Sequence, residues 1–360
     1  MYSEGSAVIE QCNGAFLNSE ARFSRDISIA FAKAFMRQGS KVLDPTSATG
    51  IRGIRYSKEA GANVTFLEIN KNAFDCLSKN LSANGVSAVA LNKSIQEFCN
   101  TTSEKFDLID LDPFGSPAPY INDIMKVSRD GTYLMVTATD TAVLCGAHHM
   151  ACIMNYNSRP MHGEICHEVG IRILIRYIAG IATQFNYGIN VSMSFVHRHY
   201  MRTILKLNHG AKMAHKTISD YGYSYKCANC GYRSVIKEQL PSQEKCPLCG
   251  SKLEIGGPLW AGVINDKKAL ISIKRHLQEG SEALNLVSII SEENDAPLYY
   301  HIPSVTKRLK IGAVSPLKVI ECLSKKGFSA SLTHMQQSSI RTDASASEID
   351  DCVRQNAGNY

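Results

Sequence analysis

The sequence predicts an α/β protein: a doubly wound, mostly parallel sheet, followed by a smaller C-terminal α/β unit with a zinc ribbon. Three observations predict it. Short apolar runs alternate with helix-periodic segments through the first half, carboxylates close three of those runs, and four cysteines form two Cys-x-x-Cys knuckles.

Residues 41–44 (KVLD), 63–68 (NVTFLE), 88–92 (AVALN), 106–112 (FDLIDLD) and 133–137 (YLMVT) are short, apolar and rich in β-branched side chains, as buried strands are. Residues 51–59, 71–84, 94–104 and 121–129 between them space their apolar residues as helices do. Strand-helix alternation of this kind implies right-handed crossovers and parallel pairing. Residues 190–197 and 202–207, joined by the polar His199-Tyr200, predict a hairpin closing the sheet edge.

A length of 360 residues exceeds one ordinary core, so two domains are expected, 1–210 and 211–360, with the ribbon at 224–254. A hydrophobic fraction of 44% and a charged fraction of 20% are ordinary, and the greasiest run, 171–182, contains Arg172 and Arg176, so no membrane span is expected. The N-terminal MYSEGSAVIEQ has neither the basic region nor the apolar core of an export signal, which predicts a cytoplasmic protein. Of the twelve cysteines, the eight outside the knuckles read as small buried apolar residues rather than disulfides.

The net charge of +6 is unevenly spread. Residues 169–219 hold no Asp or Glu but carry Arg172, Arg176, Arg198, Arg202, Lys206, Lys212 and Lys216. A second excess, Lys307, Arg308, Lys310, Lys318, Lys325 and Lys326, meets only Glu321. Such segregation suits a nucleic-acid partner, or else a solvated basic face.

In a doubly wound sheet the ligand sits beyond the C-terminal strand ends, where Asp44, Glu68 and Asp112 fall. The first strand runs through Asp44-Pro45-Thr46-Ser47-Ala48-Thr49-Gly50 into a helix. This is neither a dinucleotide fingerprint nor a phosphate-cradling P-loop. Asp44 suits a cationic amino group, such as the aminocarboxypropyl arm of S-adenosylmethionine, and Glu68 suits a pair of ribose hydroxyls; each singly also reads as a helix cap.

The fourth strand ends in Asp112-Pro113-Phe114-Gly115-Ser116-Pro117, too rich in proline and glycine for helix or strand. Amino methyltransferases of nucleic acids carry an acid or amide, then proline, then an aromatic at this place, and the loop resembles that pattern. An exocyclic base amine has its lone pair drawn into the ring, so it needs an acceptor to orient it and take its proton. Asp112 is the candidate for that role, and Phe114 for stacking on an extruded base.

Nearly the whole chain resembles the tRNA (guanine-26 N2)-dimethyltransferases of archaeal and eukaryotic type. The resemblance is carried by Asn18 with Ser24-Arg25-Asp26, by Ser47-Ala48-Thr49-Gly50-Ile51-Arg52-Gly53-Ile54-Arg55, and by the Asp112 to Pro117 loop. Thr137-Ala138-Thr139-Asp140, Cys145-Gly146-Ala147-His148 and His167-Glu168-Val169-Gly170 extend it. It implies a Rossmann-like class I methyltransferase sheet with tRNA as partner, and S-adenosylmethionine contacts from Arg25, Glu68 and one or both of Arg52 and Arg55. Asp112 is the implied catalytic carboxylate. The chain departs from the family at Ser19, where proline usually follows Asn18. It departs again at Lys93-Ser94, where an acid usually faces the adenine and Ser94 is the contact left.

Between residues 139 and 167, Cys145, His148, His149, Cys152, His162, Cys166 and His167 follow no structural-zinc spacing and read as an active-site loop with packed histidines. Cys227, Cys230, Cys246 and Cys249 do have that spacing, each knuckle is followed by glycine, and a closed four-thiolate set implies structural rather than catalytic zinc. Lys226, Arg233, Lys237, Lys245 and Lys252 around it are candidate phosphate contacts. After Trp260 a helical stretch is expected near 267–278. Two short helices at 305–309 and 316–325 and a strand at 328–333 are expected beyond it, as a platform that grips the tRNA. Competing readings are a non-catalytic zinc-ribbon RNA-binding protein and an amino methyltransferase acting on rRNA or DNA. Nothing in the sequence fixes the oligomeric state, and a monomer is the working expectation.

Overall fold

The computed structural model describes residues 1–12 and 14–357. The chain opens with a small hairpin, β1 (Tyr2–Glu4) and β2 (Ala7–Ile9), and helix α1 (Arg22–Phe35), none of which the strand-helix alternation anticipates. The predicted alternation follows: β3 (Lys41–Asp44), α2 (Ile51–Ala60), β4 (Asn63–Leu67), α3 (Lys71–Ala83), β5 (Val89–Leu91), α4 (Ile95–Thr101), β6 (Phe106–Leu111), α5 (Ala118–Lys126) and β7 (Ser128–Ala138). Helices α6 (Thr141–Leu144), α7 (His149–Tyr156) and α8 (Cys166–Gln184) lead to the hairpin β8 (Tyr187–His197) and β9 (Tyr200–His209).

These strands form one seven-stranded sheet in the order β5-β4-β3-β6-β7-β9-β8. Its first five strands are parallel. The closing hairpin is antiparallel, as predicted. Helices cover both faces, so Val42, Leu43, Phe66, Leu67, Leu108 and Ile109 are fully buried. Each contributes on the order of 1.5–3 kcal/mol. Gly53 lets α2 lie on the sheet, because a Cβ there would stand 2.2 Å from the Phe66 ring. Between β3 and β6 the strand order reverses, which opens a crevice at their C-terminal ends.

Beyond the hairpin come α9 (Ala211–Ile218) and a three-stranded ribbon, β10 (Tyr221–Lys226), β11 (Arg233–Lys237) and β12 (Glu254–Trp260), in the order β11-β10-β12. Helices α10 (Lys267–Lys274) and α11 (Glu282–Glu292) bury Leu270, Ile273, Val287 and Ile290 in the same core as Phe23 and Ile27 of α1. Trp260, Leu298 and Tyr299 join the core under α8. Separate cores appear at the cysteine end of the ribbon, around Tyr225, Cys227, Cys246 and Leu253, and in the last unit, β13 (Tyr300–His301), α12 (Ile302–Leu309), α13 (Pro316–Lys325), β14 (Ala330–Leu332), β15 (Ser339–Thr342) and α14 (Ala346–Asn356). Much of the chain after residue 210 thus packs as part of the first body, because the apolar faces of α10 and α11 lie against α1 and β8 and that of β12 against α8.

Two expectations are corrected. Cys12 with Cys76, and Cys322 with Cys352, form disulfides rather than serving as plain apolar filler, with Cα atoms 5.8 and 5.7 Å apart. These partners are far apart in sequence, so their pairing leaves no spacing signal. Part of the first basic stretch is also internal. Arg172 and Arg202 are buried on Glu168 and Asp110, and Arg176 lies 4.0 Å over the Tyr221 ring. Among the described residues no helix is long and apolar enough to cross a membrane.

Candidate active site

A cavity of about 700 Å³ lies beyond the C-terminal ends of β3, β4 and β6. Of the residues singled out in the sequence, Arg25, Arg52, Glu68, Ser94, Asp112 and Phe114 line it, and Asp44 and Arg55 do not.

Asp44 is buried, and its Oδ2 accepts the Gly53 N–H at 3.1 Å. It therefore caps the first turn of α2 instead of facing a ligand amine. Burial pushes its carboxyl up to about 7. Arg55 turns away from the cavity to Glu4, Asp26 and Glu59, at 2.7, 2.7 and 2.8 Å. The three-residue step from Arg52 puts the two guanidinium groups in different surroundings, which separates a pair the sequence leaves open.

Glu68 is held from two sides, with Oε2 accepting from Ala48 N–H and Oε1 from Asn70 N–H, both at 2.8 Å. Ala48 adopts a left-handed φ of 47°, a strained conformation that aims its amide at the carboxylate. Each Glu68 oxygen keeps a lone pair for the cavity. Ser94 caps α4, accepting from Glu97 N–H at 3.0 Å, while lining the cavity. Arg25 is held by Glu4 of the opening hairpin, its Nε 2.7 Å from Oε1, and by the Asn18 carbonyl at 3.0 Å.

Beneath Asp112 lies a buried charge network. Asp110, fully buried, accepts Arg202 Nη2 on both oxygens at 2.8 Å, Tyr56 Oη at 2.6 Å and Arg52 Nη1 at 3.2 Å. Burial alone would raise its pKa, yet Arg202 and then Arg52 hold it below the usual carboxylate range. Arg52 donates its other terminal nitrogen to Asp112 Oδ2, so one guanidinium bridges the buried and the exposed carboxylate. Asp112 keeps Oδ1 for other partners, and its side chain is 28% exposed.

The loop after Asp112 is tied to the segment after β7. Gly115, at φ 74°, donates to Thr139 Oγ1 at 2.7 Å and accepts from Thr139 N–H at 3.0 Å. Ser116 Oγ donates to Tyr156 Oη at 2.8 Å, and Tyr156 donates to Asp140. This anchoring presents Phe114 to solvent, 74% exposed, with its ring 4.8 Å from that of Phe16 at an interplanar angle of 73°. Phe16, Glu4, Tyr56, Tyr156 and Arg202 are site residues that sequence reasoning misses. Only Arg202 carried a usable signal, a charge among the apolar residues of a strand in a sheet covered on both faces.

The ribbon cysteines also converge, with Cys227 and Cys249 Sγ 3.5 Å apart and Cys230 and Cys246 Sγ 3.5 Å apart. Four thiolates bound at about 2.3 Å to tetrahedral zinc lie roughly 3.8 Å from one another, so the set fits that ion. Gly231 (φ 76°) and Gly250 (φ 72°) close the knuckles, each donating its N–H to the carbonyl of the first cysteine of its pair. Around the ribbon Arg233 is held by Glu164 at 3.0 Å, whereas Lys245 and Lys252 are exposed.

Known proteins resemble this chain over nearly its whole length. The profile of the family described as N2,N2-dimethylguanosine tRNA methyltransferase matches residues 2–354. The tRNA (guanine(26)-N(2))-dimethyltransferase of Methanothermobacter thermautotrophicus is 33% identical over 349 residues, covering 94% of this chain and 92% of that protein. Its counterpart from Methanospirillum hungatei is 35% identical over 345 residues, covering 94% and 91%. The solved structure of Trm1 from Pyrococcus horikoshii with S-adenosyl-L-methionine shares 30% identity and a TM-score of 0.90, over 98% of each chain. On the family match and on relatives aligned over nearly their whole length, the chain belongs to the N2,N2-dimethylguanosine tRNA methyltransferase family.

Proposed function

We propose that this protein transfers one or two methyl groups from S-adenosylmethionine to the exocyclic N2 of guanine 26 in tRNA. The observation that carries this reading is Asp112 at the cavity rim, held from below by Arg52 and flanked by the exposed rings of Phe114 and Phe16.

The residues present fit the cofactor. Glu68 offers free lone pairs on two anchored oxygens, and the Thr49 hydroxyl, buried in the cavity wall, lacks a partner. Glu68 would hold the ribose, Arg25 and Arg52 would lie at the aminocarboxypropyl end, and Ser94 would stand on the adenine side. S-adenosylmethionine supplies an electrophilic methyl group on sulfonium sulfur. The chain's own residues do the rest. Phe114 stacks on the extruded guanine, Asp112 accepts an N2–H, which directs the nitrogen lone pair into the cavity, and the same carboxylate takes the proton released. Arg52 fixes the Asp112 rotamer. The monomethyl product keeps one N–H, so the same contact serves a second transfer.

In this account Cys227, Cys230, Cys246 and Cys249 hold a structural zinc. The segment 211–360 grips the tRNA through exposed lysines such as Lys212, Lys216, Lys245, Lys252, Lys307, Lys310 and Lys318. The reaction belongs in the cytoplasm, and one chain contains a complete site. The test is nucleoside mass spectrometry on unmodified tRNA transcripts. N2-methylated guanosine is expected with guanine at position 26 and none with adenine there; equal methylation of both transcripts would contradict the assignment.

A further inference from the structure

We propose that Cys145, Cys166 and His167 form a second metal site, of the Cys2His type that takes zinc, separate from the ribbon. The fold assembles it from two segments whose spacing matches no zinc pattern. Cys145 ends α6 and donates its N–H to the Thr141 carbonyl at 2.8 Å. Cys166 and His167 open α8. The three ligand atoms lie within 4.8 Å of one another, the same limit that the ribbon cysteines meet.

Two features prepare these groups to bind. Cys166 is the first residue of α8 and is half-buried, as Cys145 and His167 are, so the three groups are both sheltered and reachable. His167 Nδ1 lies 2.8 Å from the Met335 carbonyl. A carbonyl can only accept, so Nδ1 carries the hydrogen and Nε2 keeps the ligating lone pair, the arrangement common for metal-bound histidine. Two thiolates balance a divalent charge, and three protein ligands leave the fourth position to water. The ion would join three pieces of the fold: the segment after Thr139 and Asp140 that anchors the Asp112 loop, the start of α8, and, through Met335, the C-terminal unit. It takes no part in methyl transfer.

The experiment measures zinc per chain by native and inductively coupled plasma mass spectrometry on the full chain purified under reducing conditions. It compares the wild type, Cys145→Ser, Cys166→Ser and the ribbon variant Cys249→Ser. Two zincs are expected in the wild type and one in each variant. A wild-type chain with one zinc that Cys166→Ser removes and Cys249→Ser retains would support this site and overturn the ribbon assignment. If a variant fails to fold, cobalt titration of the metal-stripped wild type gives the answer, with two equivalents expected at saturation. One zinc per chain that Cys145→Ser and Cys166→Ser leave in place, cobalt saturation at one equivalent that Cys249→Ser abolishes, or a Cys145–Cys166 disulfide in the reduced preparation would overturn the proposal.

Discussion

Replacing Arg202 with Met should destabilise the protein strongly at neutral pH and much less in acid. Arg202 and Asp110 are both fully buried, and Arg202 Nη2 lies 2.8 Å from both carboxylate oxygens. Methionine fills much of the same space but leaves Asp110 to Arg52 at 3.2 Å and Tyr56 at 2.6 Å. Removing one partner of a buried pair costs about 3–5 kcal/mol, and the two remaining partners place this case near the lower end. In the wild type the folded pKa of Asp110 lies below its unfolded value, so its contribution is present above about pH 4 and is lost as pH falls through the folded pKa. In Arg202→Met burial prevails and the folded pKa rises above the unfolded one, so the variant loses stability as pH climbs from about 4. The gap between the proteins therefore narrows on acidification, by up to about 1.4 kcal/mol per pH unit. Urea titrations followed by circular dichroism at pH 7.5 and 4.5 measure it. At a slope of about 3 kcal/mol/M, the midpoint shift at the higher pH is roughly 1 M. A loss under about 1 kcal/mol at pH 7.5, or an equal loss at both pH values, would refute the network's assigned role.

Four further outcomes follow from the cavity and the ribbon. Glu68→Ala should weaken S-adenosylmethionine binding by about 10–100-fold in calorimetry, from the loss of one or two charge-assisted hydrogen bonds. Arg55→Gln, which does not line the cavity, should leave that affinity within about threefold while lowering stability. Phe114→Ala should reduce kcat/KM for tRNA by about 5–150-fold, from the roughly 1–3 kcal/mol of a base-aromatic stack, at unchanged cofactor affinity. Chelation of the ribbon metal, or Cys249→Ser, should abolish protection of amides in β10 and β11 in hydrogen exchange, while amides of β3 and β6 stay protected.

The sheet was legible because buried parallel strands announce themselves as continuous apolar runs, and β3, β4 and β6 fall within a residue of the predicted segments. That Glu68 and Asp112 border the cavity was legible because strand ends at a switch point open onto the crevice of a doubly wound sheet. The misses have a common cause: a side chain's direction is a tertiary fact. Asp44 stands at a strand end like Glu68, yet turns to the Gly53 amide. Arg55 shares a helix with Arg52, but one turn along it meets the Glu4 hairpin rather than the cavity. Arg202 looked like part of a basic surface and is a buried counterion. Phe16 lies outside every regular element, so no periodicity marked the ring that meets Phe114. The spacing of Phe23, Ile27 and Phe31 in α1 was a readable helix signal, since all three face the core.

The central claim is that Asp112 activates the guanine amine. Its most direct test is single-turnover methyl transfer by Asp112→Ala to unmodified tRNA at saturating S-adenosylmethionine, with cofactor and tRNA affinities measured on the same protein. The account predicts a rate about 10²–10⁴-fold lower with both affinities within a few-fold of wild type; a rate within about threefold of wild type would contradict it.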